Sequence, residues 1–128
     1  MKILKVVAAI IERDGKILIA RRNYGEFKGY FEFPGGKYEN DESGPQAIKR
    51  EIREEFDALV EVKDLVCTVE YQYDSFYLVM DCFRCALLED KLILHDHSEI
   101  RWIDADEKDI KWCPADQKVI EEYRKSIR

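Results

Sequence analysis

GGKYENDESGPQAIKREIREEFDA, residues 35–58, changes character half-way along. Its first half is a Gly-Gly turn followed by a polar loop. From Ser43 the period becomes helical. Ser43-x-x-Gln46 is a capping box, Pro45 falls in the first turn where a missing N–H costs little, and Ile48, Ile52 and Phe56 recur every four residues. The pattern predicts a helix over Gly44–Phe56. At 100° per residue Glu51, Glu54 and Glu55 fall within about 100° of one another, beside the apolar stripe. Like charges at these spacings cost a helix a few tenths of a kcal/mol per pair. A hard divalent cation would compensate, since Mg²⁺ prefers carboxylate oxygens and bridges to phosphates. A solvated acidic face neutralised by Arg50 and Arg53 is the ordinary alternative.

Upstream, the apolar run Val6–Ile11, the Asp14-Gly15 turn and Lys16–Ala20 read as strand, tight turn and strand. A loop with Gly25 and Gly29 leads to a short strand at Phe31–Phe33, which Pro34-Gly35-Gly36 ends. Downstream, Val60–Tyr71 and Phe76–Leu87 read as an antiparallel pair. Short strands are expected at Leu92–Leu94 and Glu99–Ile103, and Pro114 opens a last helix with Val119, Ile120, Tyr123 and Ile127 on one face. The 128 residues suit a single mixed α/β domain with two main helices. A net charge of -6 argues against a broad duplex nucleic-acid footprint and leaves a small phosphorylated ligand. No apolar run is long enough to span a bilayer and no secretory signal is visible, so the expected compartment is the cytoplasm, with Cys67, Cys82, Cys85 and Cys113 as free thiols.

The register of the helical segment carries more. Gly36, five residues, Glu42, seven residues and Arg50-Glu51-Ile52-Arg53-Glu54-Glu55 resembles the Nudix box, G-x5-E-x7-R-E-U-x-E-E-x-G-U with U apolar, here spanning residues 36–58. One position departs: Asp57 stands where the family has glycine, which suits a helix end with φ > 0. Phe33-Pro34-Gly35-Gly36-Lys37, Ala20-Arg21-Arg22, His95-Asp96-His97 upstream of Trp102, and Pro114-Ala115-Asp116 look like the MutT-like branch, especially its CTP pyrophosphohydrolase-type members. The resemblance implies an α/β/α sandwich around a mixed sheet. It also implies Mg²⁺-dependent hydrolysis, with Mn²⁺ as a substitute, of a small nucleotide to monophosphate and pyrophosphate by a monomer or homodimer.

Carried over residue by residue, the resemblance makes Glu54, Glu55 and the Gly35 carbonyl metal ligands, with Glu51 beside them. Glu51 is the first candidate for the general base, and Asp96 is the second, as base or as a further metal ligand. Arg50 is expected to orient Glu54 at i+4. Arg22 and Lys37 are phosphate contacts or surface ion pairs. Phe33 and Tyr30 stack on the base or belong to the core. Asp116 either accepts from an exocyclic amine such as cytosine N4 or serves as a helix-start carboxylate. On these grounds the expected substrates are CTP, dCTP or modified pyrimidine nucleotides.

The alternatives are an 8-oxo-dGTP diphosphatase, a dinucleoside polyphosphate hydrolase using Tyr71, Tyr73 or Tyr77, and an inactive nucleotide-binding module. The last is disfavoured because Glu42, Glu51, Glu54 and Glu55 are all kept. No proline lies between Pro45 and Pro114, which weakens an ADP-ribose reading. Cys82-x-x-Cys85 invites a zinc reading, but inside a strand these two residues face opposite sides.

Overall fold

Asp14 and Gly15 both take positive φ, 52° and 78°, the geometry that lets a two-residue turn follow the twist of its flanking strands. They join β1 (Lys2–Arg13) to β2 (Lys16–Arg22) in the computed structural model, which describes residues 1–128. β3 (Phe31–Glu32) and β4 (Gly35–Lys37) follow, then α1 (Gly44–Phe56), β5 (Val60–Gln72), β6 (Phe76–Leu87), β7 (His97–Ile103) and α2 (Pro114–Ser126).

The seven strands form one mixed sheet in the order β3-β2-β1-β6-β5, with β4 on β1 and β7 on β2. β1 runs parallel to β6, from Lys2 beside Phe76 to Glu12 beside Ala86. It is therefore central and covered on both faces, which explains its unbroken apolar run. Ala8 and Ile10 enter the core under α2, with Val119, Ile120 and Tyr123. Val7, Ala9 and Ile11 enter the core under α1, with Ile48, Ile52 and Phe56. This is the expected sandwich. No helix is long and apolar enough to cross a membrane.

α1 starts and stops as its sequence dictates. Ser43 Oγ accepts from Gln46 N–H at 3.2 Å, and Gln46 Oε1 accepts from Ser43 N–H at 2.9 Å. Asp57 closes it in the left-handed region at φ 53°, where glycine would carry no Cβ strain. Its carboxylate meets His95 Nε2 at 3.0 Å, an exposed pair worth little. Asp57→Gly should therefore raise Tm by about 2 °C, because relief of the backbone strain outweighs removal of that pair, whereas Asp57→Ala should lower it. Thermal unfolding of both variants checks the sign.

Three expectations need correction, and one strand was not expected. Leu92–Leu94 is not a strand, although Ile93 N–H reaches Phe56 O at 3.0 Å. These residues lie past the end of β6, where only Leu92 packs against the core under α1 while Ile93 and Leu94 stay exposed. Pro34 follows the end of β3 as expected, but Gly35–Lys37, read only as part of that turn, pairs with β1 as a further strand, β4. β7 begins at His97, two residues early, carried by pairing of His97 with Arg22 across a bulge. Ile127 lies beyond α2 and is 48% exposed, since the helix stops at Ser126.

Candidate active site

Neither Gly35 nor Gly36 has room for a side chain. A Cβ on Gly35 would meet Val7 O at 1.9 Å, and one on Gly36 would meet Glu51 Oε1 at 2.0 Å. The first clash is with fixed main chain, the second with the tip of a side chain. Gly35→Ala should therefore cost about 2 kcal/mol of stability, while Gly36→Ala should leave Tm nearly unchanged and lower kcat about tenfold by displacing Glu51. Parallel melting curves and rates separate the two effects.

β4 in this way lays its backbone against the carboxylate edge of α1, at the floor of a cleft of about 500 Å³. Of the residues singled out in the sequence, Arg22, Phe33, Gly35, Lys37, Glu51, Glu54, Glu55, Asp96 and Asp116 all line this cleft. Arg50 and Tyr30 do not. Tyr30 packs edge-on against Phe27, with Lys111 Nζ over its ring, and so stays out of the cleft.

Arg50 stands behind the helix edge and organises it. Its Nε and Nη2 clasp Glu42 at 2.7 and 3.0 Å, Nη1 donates to Glu54 at 3.0 Å, and Nη2 donates to the Lys37 carbonyl at 2.8 Å. The fork thus ties loop, β4 and α1 together. These pairs hold the Glu42 carboxyl below its usual range and raise Arg50. Burial pushes Glu51 upward, against the pull of Arg50. Glu55 is 8% exposed, and burial together with the charges of Glu51 and Glu32 pushes its carboxyl up to about 9.

Glu55 Oε2 is buried without any hydrogen-bond partner. An orphaned carboxylate oxygen beside two further carboxylates is a donor set that fits a hard divalent cation. The tightest group of ligand-type atoms lies elsewhere: Glu32, Cys113 and Asp116 have donors within 4.8 Å of one another. There, however, Glu32 already receives Arg22 Nη1 at 2.8 Å and meets His97 Nε2 at 2.9 Å, and Asp116 Oδ1 accepts from Phe33 N–H at 2.9 Å. The helix edge is the better cation site.

At the other end of the cleft Phe33 stacks on Trp112 with ring centroids 5.2 Å apart, so it serves the core as well as the cleft wall. Asp116, 6% exposed at the start of α2, is driven well above the carboxylate range by burial and then by Glu32. Sequence reasoning gave no site role to Glu32, His97 or Cys113, nor to Phe27 and Phe76, which with Tyr73 form an aromatic wall. Of the three tyrosines named for the dinucleoside polyphosphate alternative, only Tyr73 lines the cleft. The alternation Phe31-Glu32-Phe33 signals a Glu32 facing away from the core. His97 stands in the His95-Asp96-His97 motif, but nothing local marks its contact with Glu32, which β7 pairing with β2 creates.

A family model described as the NUDIX domain matches residues 1–123. The chain belongs to this family. The Nudix chain is 38% identical over 108 residues to the CTP pyrophosphohydrolase of Escherichia coli K12, covering 84% of this chain and 80% of that one. It is 36% identical over 86 residues to the 8-oxo-dGTP diphosphatase of Haemophilus influenzae, covering 61% and 63%. Among solved structures, the solution structure of the E. coli ORF135 protein superposes with a TM-score of 0.84 at 35% identity, covering 98% of this chain and 91% of that one.

Proposed function

We propose that this Nudix chain hydrolyses nucleoside triphosphates to monophosphate and pyrophosphate, with CTP, dCTP or a modified pyrimidine nucleotide preferred. The observation that carries the reading is one cleft of about 500 Å³ lined both by the box carboxylates and by the buried Asp116. The relationship to the E. coli CTP pyrophosphohydrolase supports the choice of base. The 8-oxo-dGTP diphosphatase of H. influenzae keeps an oxidised purine as the second reading.

Glu54, Glu55 and the Gly35 carbonyl would hold Mg²⁺, with Mn²⁺ as a substitute and Glu51 adjoining. When bound, the cation neutralises phosphate charge and acidifies a water. Glu51 would accept the proton of the attacking water, because burial raises its carboxyl above its ordinary value whereas Asp96 stands exposed. Arg50 fixes Glu54 and frees no donor for substrate. Arg22, held by Glu32, and the exposed Lys37 receive the phosphate chain. Asp116 reads the base edge with Oδ2, since Oδ1 is bound to Phe33 N–H.

A panel of ribo- and deoxynucleoside triphosphates, 8-oxo-dGTP and a dinucleoside polyphosphate, each with Mg²⁺, tests the reading. Highest kcat/KM on a cytosine nucleotide is expected. A clear preference for 8-oxo-dGTP would replace it with the second reading.

A further inference from the structure

Cys67 on β5 and Cys82 on β6 are direct partners across the antiparallel ladder. Facing residues in such a ladder have Cα atoms roughly 4.5 to 5.5 Å apart and side chains on the same side of the sheet, within the span that a disulfide bridges. Both are free thiols, and both lie on the face covered by α2, where Cys82 is in the core and Cys67 packs at its margin.

The two sulfurs are not equivalent. Cys67 is half-buried on a strand at the edge of the sheet, just after an irregularity in the register between Leu65 and Cys67. Cys82 is fully buried. The Cys82 S–H donates to the Met80 carbonyl at 3.7 Å. The neighbouring Cys82 thiol holds the Cys67 thiol below its usual range against the effect of burial and of the Glu122 charge, and Cys82 is pushed upward by the Cys67 sulfur and by burial. An accessible sulfur of lowered pKa beside a second, protected one is the arrangement of an attacking and a resolving thiol. The other two cysteines do not compete, since Cys85 faces Val62 on the opposite side of β6 and Cys113 precedes α2.

We propose that Cys67 and Cys82 form a reversible disulfide that staples β5 to β6 when the protein meets a low-molecular-weight disulfide. The Cys67 thiolate attacks one sulfur of that disulfide, forming a mixed disulfide and releasing one small thiolate. Cys82 attacks the Cys67 sulfur, which forms the intramolecular bond, breaks the mixed disulfide and passes the Cys82 proton to the departing sulfur, so that the second small thiol is released. The two protein thiols are oxidised by two electrons and the small disulfide is reduced by two. A dithiol reverses the exchange. The staple would lock the strand whose Leu78 and Met80 line the active-site cleft.

Oxidised glutathione added to the native protein, followed by intact mass and a non-reducing peptide map, decides the matter. The expected result is loss of two hydrogens, a cross-link between the peptides carrying Cys67 and Cys82, and a Tm raised by about 5 °C or more that dithiothreitol abolishes. Cys82→Ser should stop at a glutathione adduct on Cys67, and Cys85→Ser should behave as wild type. Wild-type protein that retains all its free thiols, that stops at a stable glutathione adduct, or that links any other pair would overturn the proposal.

Discussion

Glu55→Gln is expected to lower kcat with Mg²⁺ by at least about 10² while leaving the fold intact, and Glu54→Gln by a similar factor. The reason is charge. Both glutamates line the cleft, and Glu55 offers an oxygen with no other partner, so an amide removes an anionic donor where nothing replaces it. Folding does not need that charge. The Glu55 carboxyl titrates near 9 in the folded chain against an ordinary 4.5, so the folded state binds a proton there that the unfolded state has released between those values. Its contribution to stability is present below pH 4.5 and is lost as pH rises towards 9. Metal-free wild-type protein should accordingly lose Tm between about pH 6 and 9 relative to Glu55→Gln. Near wild-type turnover by either variant would remove Glu54 and Glu55 from the metal site.

Asp116 carries the second large effect. With Oδ1 fixed by Phe33 N–H, the acid presents one oxygen to the base, and burial beside Glu32 favours its protonated form. Protonated, that oxygen donates and meets a uracil carbonyl or cytosine N3. Ionised, it only accepts, and it suits an exocyclic amine. The preference for CTP over UTP in kcat/KM should therefore widen as pH is raised from about 6 to 9, reaching roughly 10- to 100-fold. Asp116→Asn should flatten that dependence, because an amide does not ionise. A CTP-to-UTP ratio that is constant with pH in wild type, and unchanged in Asp116→Asn, would reduce Asp116 to a residue that anchors Phe33.

How far these groups were legible beforehand follows from the range of the interactions that place them. α1 was readable to the residue because its signals are local: a capping box, a proline in the first turn and a four-residue apolar period. β1 and β2 were readable because Asp14-Gly15 fixes the turn between them. The carboxylate edge was visible as three glutamates in one helix. Its organiser was only half visible, since the i+4 pair of Arg50 and Glu54 is local, whereas the clasp on Glu42 and on Lys37 O depends on how the loop folds back. Glu32 and His97 were not legible as a pair because β2 brings them together from 65 positions apart. The burial of Asp116 was likewise hidden. Pro114 and Asp116 mark a helix start, and only the approach of Phe33, whose N–H reaches the carboxyl, and its neighbours to α2 buries it. Leu92–Leu94 failed for the opposite reason: an apolar triplet satisfies a strand pattern locally even where no neighbouring strand is at hand to pair with it.

The most direct test of the central claim is the product analysis of CTP incubated with the protein and Mg²⁺, resolved by phosphorus NMR. The account predicts CMP and pyrophosphate in equal amounts, formed only with the divalent cation and suppressed about 10² in Glu55→Gln. Release of CDP and inorganic phosphate, or the same products in the presence of a chelator, would contradict it.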